Sequence, residues 1–127
     1  MGNGVTRITE VRTVGVPATD QERTLAFYTD VLGFETTLDA QFGGGQRWIE
    51  VSPAGGGASI AITPVGDSPV GVDTGIRLTS DDVEADHAAL QAAGVQIDAA
   101  VLRFPGAPPM FTLLDPDGNR LYVVGRM

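Results

Sequence analysis

The chain has 127 residues, 43% apolar and 19% charged, with 17 Gly and 8 Pro, a composition that suits one turn-rich globular domain with a real core. It carries no Cys and no Lys, which excludes thiol nucleophiles, disulfides, thiolate metal sites and Schiff-base lysines. A net charge of −8 argues against nucleic acid as a partner, and no apolar run is long enough to cross a membrane.

The acidity is compatible with a cationic ligand and equally with plain solubility. The start lacks a charged stretch followed by an apolar one, so a cytoplasmic protein is expected. The single histidine, His87, cannot supply a multi-histidine metal site within one chain.

Residues 8–16 alternate as a strand, with Val14 and Val16 on one face. Pro17 and Asp20 end it and open a helix near Gln21, whose Leu25, Tyr28 and Leu32 recur at helical spacing up to Gly33. A short strand is predicted over 34–38, a turn at 43–45, and a strand over 47–52 with Ile49 and Val51 opposite Trp48 and Glu50. After a turn at 53–57, residues 58–63 form the next strand, and 64–73 read as a linker.

The order then recurs. Residues 74–79 predict a strand, Ser80-Asp81-Asp82 an N-cap, and a helix runs to Ala93 before Gly94. A short strand over 95–97 and an irregular 105–109 lead to a hairpin closed by Asp115-Pro116-Asp117-Gly118-Asn119, turn chemistry that accounts for both aspartates. Leu32-Gly33-Phe34 matches Ala93-Gly94-Val95 at an offset of 61, and the same offset places Ile60, Ala61 and Ile62 on Leu121, Tyr122 and Val123. The chain is therefore expected to be one α+β domain, 1–127, of two β-α-β-β-β modules at about 8–66 and 74–125.

Phe27-Tyr28-Thr29-Asp30-Val31-Leu32-Gly33-Phe34, the duplication, and the Asp-Pro-Asp-Gly-Asn turn before a final strand resemble the vicinal oxygen chelate superfamily, which includes glyoxalase I, extradiol dioxygenases and bleomycin-resistance proteins. The resemblance implies curved sheets around a concave groove with the helices outside, and a homodimer whose modules complete each groove. It also implies a divalent metal on the groove face. Carried over one at a time, the ligand positions fall on Thr13, Ala61, Gly75 and Tyr122, none of them a normal metal ligand. No tightly bound metal and no cofactor are expected.

The groove candidates are Trp48, Glu50, Ser59, Arg77, Met110 and Tyr122. Trp48 can stack on a flat ligand or fill space. Glu50 can be a buried base of raised pKa, or a carboxylate paired with Arg47 or Arg77, or simply solvated. Tyr122 can donate a hydrogen bond, act as an acid or pack. His87 falls mid-helix and reads as structural. Residues 104–110 can lid the groove.

Two functions follow, beside a third, blander one: a structural or regulatory relic of the fold with no bound ligand. One is a metal-free protein of the bleomycin-resistance type that binds a small aromatic or amphipathic molecule. The other is an enzyme of the same superfamily, either a metal-dependent lyase or dioxygenase with ligands not placed here, or a metal-free isomerase or hydrolase using Glu50 and Tyr122.

Overall fold

The computed structural model describes residues 4–126. Its first sheet contains β1 (Thr13–Ala18), β2 (Glu35–Phe42), β3 (Gln46–Ser52) and β4 (Ser59–Pro64), in the spatial order β1-β4-β3-β2. Its second contains β5 (Asp73–Ser80), β6 (Met110–Leu114) and β7 (Arg120–Gly125), in the order β5-β7-β6. In each, the first strand runs parallel to the last, and the remaining ladders are antiparallel. Parallel neighbours need a crossover, which α1 (Gln21–Ala26) and α2 (Val83–Ala92) supply. The architecture is α+β with two tandem modules, as the repeat implies.

Both helices start and stop by the same local chemistry. Asp20 accepts from Arg23 N and Asp82 from Ala85 N, each satisfying a free donor of the first turn. Past the far ends, Gly33 and Gly94 take φ of 77° and 81°, which glycine adopts without a Cβ clash. The first helix does not stay regular up to Gly33. From Phe27 to Val31 it widens into a π turn, in which Leu32 N bonds to Phe27 O and Thr29 Oγ1 donates back to Leu25 O.

Inward residues of both modules merge into one core. Val16, Ile49, Val51, Ile60 and Ile62 from the first sheet join Tyr28, and Phe111, Leu113, Leu121 and Val123 from the second join Val83 and Leu90. Each such side chain contributes about 1.5–3 kcal/mol of burial. On α2 the buried positions are Val83, His87 and Leu90, one helical stripe. His87 meets Phe111 edge-on at 5.2 Å and lies 2.7 Å from the Asp98 carbonyl oxygen through Nε2.

Several boundaries differ from expectation. The first strand begins at Thr13 rather than residue 8, because its partner ends there: Thr13 pairs with Ser59, where β4 starts. Upstream, Val5, Ile8 and Val11 stand 101%, 82% and 70% exposed. Pro17 lies inside β1, which tolerates it as an edge strand. The strand expected over 34–38 extends to Phe42, with a bulge between Thr36 and Leu38. Its counterpart at 95–97 shrinks to two isolated bridges, Ile97 to Leu113 and Leu102 to Met110.

The 115–119 turn does more than turn. Asp115 Oδ1 accepts from Asp117 N and Asn119 N, while its Oδ2 accepts from the buried Tyr28 hydroxyl at 3.2 Å. Asn119, fully buried, donates to the Pro17 carbonyl and accepts from Gly71 N and Val72 N. Asp117 accepts from Thr19 N and Thr19 Oγ1. The turn of the second module thus clamps the first. Burial, with the Asp115 carboxylate beside it, pushes the Tyr28 phenol far above its ordinary pKa.

Candidate functional site

Period-2 alternation puts Trp48, Glu50 and Ser52 of β3 on the face of the first sheet opposite the core. Register adds their neighbours: Ala40 stands across from Trp48, and Leu38 and Ala61 flank Glu50. Phe42 approaches Trp48 edge-on, with ring centroids 6.3 Å apart. The result is an apolar face around one carboxylate that is only 3% exposed.

That carboxylate is well held. Trp48 Nε1 donates to Glu50 Oε2 at 2.7 Å, and Ser59 Oγ lies 3.0 Å from Oε1. Arg12 Nη1 approaches Oε2 at 3.1 Å, and the Arg12 carbonyl also accepts from Ser59 N. The Trp48 hydrogen bond, then Ser59 and Arg12, outweigh desolvation and hold Glu50 below the usual glutamate range. This is the reverse of the raised pKa that a general base at neutral pH needs. Neither Arg47 nor Arg77 pairs with Glu50, contrary to the sequence reading. Arg47 turns toward the helix side, bonding Asp39 and Glu22. The position of Glu50 locks the indole, because a bond to Nε1 fixes the plane in which Trp48 presents itself.

Arg77, Tyr122 and Met110 lie on the second sheet instead. The Arg77 guanidinium carbon sits 4.4 Å above the Tyr122 ring, and the Tyr122 hydroxyl donates to Asp73 Oδ2 at 2.7 Å. This bond raises the Tyr122 pKa and lowers that of Asp73, which also accepts from Gly75 N. Gly75, at φ 69°, centres a register shift in β5 that few other residues would permit. Met110 shares a face with Thr112 and Tyr122, and its backbone bridges Leu102 in both directions. Both flanks of the segment expected to lid the groove are held, by Leu102 against Met110 and by Pro109 O, which accepts from Gly125 N. Sequence reasoning missed Arg12, Leu38, Phe42, Asp73 and Arg120. Leu38, Ala40 and Phe42 do alternate, a signal that a longer strand would have revealed; Arg12 carries none.

The family's metal does not fit these residues. At the carried-over positions Gly75 has no side chain and Ala61 only a methyl. The Thr13 hydroxyl donates to the Ser59 carbonyl at 3.3 Å, and that of Tyr122 is engaged by Asp73. Among the described residues no three His, Cys, Asp or Glu side chains gather as a metal-holding group.

Two tandem modules with open outer faces define a class. Residues 10–123 match the model of the glyoxalase/bleomycin resistance protein/dioxygenase superfamily. The chain belongs to that superfamily. It is similar to TnmS3, an antibiotic binding protein from Streptomyces sp. CB03234, at 32% identity with a TM-score of 0.86, covering 96% of this chain and 99% of that one. A superfamily member from Sphaerobacter thermophilus is 29% identical with a TM-score of 0.90, covering 95% and 100% of the two chains. YetH, an uncharacterized protein of Bacillus subtilis, is 33% identical over 57 residues, 45% of this chain and about half (48%) of the length of YetH. No helix of the described residues is long and apolar enough to cross a membrane.

Proposed function

We propose that this protein binds a small, flat aromatic or amphipathic molecule on the Trp48 face, without a cofactor, as a homodimer in the cytoplasm. The observation that carries this reading is the half-buried indole, pinned by Glu50 and flanked by Phe42, Leu38 and Ala40. A fixed aromatic plane in apolar surroundings suits stacking, with about 0.5–1.5 kcal/mol beyond area burial. The likeness to an antibiotic binding protein points the same way. The depressed pKa of Glu50 favours a binding role over a base.

A second copy supports the site physically. Two cavities of about 300 and 400 Å³ lie at the seam between modules; Ser59 and Arg77 line the larger one, and neither Trp48, Glu50 nor Tyr122 lines either. The Trp48 face is open in one chain, with Leu38 and Phe42 37% and 48% exposed, and a partner would give it an opposite wall. Val5, Ile8 and Val11 offer the partner exposed apolar surface.

Trp48 is the only tryptophan, so intrinsic fluorescence reports on the face directly. Polycyclic aromatic probes should quench it saturably, and Trp48→Ala should weaken their calorimetric binding by about tenfold while leaving the fold intact. Absence of any response across such a library would sink the reading. A monomer by light scattering at micromolar concentration would remove the dimer.

A further inference from the structure

The eight positive side chains of this acidic protein are not evenly used. Five of the eight arginines pair with carboxylates: Arg12 with Glu50, Arg23 with Asp117, Arg47 with Glu22 and Asp39, Arg103 with Glu84, and Arg126 with Asp81. Among the described residues Arg7, Arg77 and Arg120 have no carboxylate oxygen within the 4.0 Å of an ion pair. Two of these three stand together. Arg77 is the cross-strand partner of Tyr122, and Arg120 lies two residues before Tyr122 on the same face.

We infer that the outer face of the second sheet is an oxyanion-recognising surface, on which Arg77 and Arg120 flank Tyr122 and take a carboxylate of the bound molecule. This deepens the proposed binding function, on which it rests, by naming the ligand as an aromatic acid. Against a protein-wide charge of −8, the selection of an anion is local to this face.

Each guanidinium is positioned but largely unspent. Arg77 lies over the Tyr122 ring and gives one N–H to the Gly75 carbonyl at 2.9 Å. Arg120 gives one N–H to Thr112 Oγ1 at 2.6 Å. A guanidinium has five N–H donors in a planar fork that matches a carboxylate, so both retain a free edge. The nearby carboxylates are already engaged: Asp73 accepts from the Tyr122 hydroxyl and Gly75 N, and Asp98 accepts from Thr112 N and Thr112 Oγ1, the hydroxyl that Arg120 also meets. Two guanidiniums beside two carboxylates leave the face near neutral, so the unspent N–H donors, not a net positive charge, recognise the oxyanion. Pre-positioned donors lose less entropy on binding than free side chains, which adds to the gain from charge-assisted bonds.

The test compares 2-naphthoate with its neutral methyl ester by isothermal titration calorimetry on the full chain. The acid should bind at least about tenfold more tightly than the ester. Arg77→Gln with Arg120→Gln should abolish that preference, Arg103→Gln should keep it, and Asp73→Asn should enlarge it. Equal binding of acid and ester, or a preference that survives the double substitution, overturns the inference while leaving the Trp48 reading in place. If neither probe binds, the Trp48 reading is judged by the fluorescence library, and NMR decides the arginines. On titration with benzoate, selective shifts of the Arg77 and Arg120 Nε–H signals support the inference, and shifts no larger than those of Arg103 overturn it.

Discussion

Strands β3 and β4 join through residues 53–58, and the equivalent β6 and β7 through 115–119, yet the two turns behave in opposite ways. The first is Gly-rich and mostly exposed, and its internal bond runs from Gly56 N to Pro53 O. The second buries Asp115 and Asn119, at 4% and 0% exposure, and spends their polar atoms on the other module. One position of a duplicated module has become a rim of the seam cavities, the other a clamp. A repeat can therefore conserve strand order while dividing its mechanical duties, because turn residues face different neighbours in each copy.

The clamp should break most visibly at Asn119. Asn119→Ala leaves Gly71 N, Val72 N and the Pro17 carbonyl without their partner, and should cost about 3–4 kcal/mol in urea unfolding. Loss below about 1 kcal/mol would mean that the turn is not holding the modules.

Glu50→Gln comes next, at about 2 kcal/mol near neutral pH, mostly through the Trp48 and Ser59 bonds, since Arg12 is too exposed to contribute much. Its pH signature is more telling. The folded-state pKa lies below the ordinary 4.5, so Glu50 stabilises the fold above that value, and the contribution is lost as pH falls through the folded pKa. The gap between the melting curves of the wild type and Glu50→Gln should hold above the ordinary glutamate pKa and close as pH falls through the lowered folded-state value. A gap that widens on acidification contradicts an ionised Glu50.

Tyr28→Phe removes one bond of the clamp but keeps the packing, and should cost about 1–1.5 kcal/mol by denaturant midpoint. It sharpens the comparison by separating the clamp's hydrogen bonds from the core beneath. The smallest effect belongs to the open turn. A Cβ at Gly55 meets nothing within 4 Å, so Gly55→Ala should shift stability by less than about 0.5 kcal/mol. A larger loss there would show that the first turn also carries load.

The sequence by itself determined the repeat, the α+β order, the inward faces and the helix ends, because these depend on periods of 2 and 3.6 and on chemistry within a few residues. It also pointed to Trp48, Glu50 and Ser59 as neighbours, since strand parity and the 53–57 turn place them on one face. Tertiary structure alone decided the partner of Glu50. Arg12 reaches it because β4 lies between β1 and β3, so that Thr13 aligns with Ser59 and Glu50 with Ala61. It also decided that Asn119 grips Pro17, more than a hundred residues upstream by hydrogen bond at 2.9 Å, and that β2 runs to Phe42 while its counterpart dwindles to bridges. Such choices depend on which strand edges and buried polar atoms find a partner across the fold. Local pattern shows which way a side chain points, but the partner it meets depends on how the modules pack.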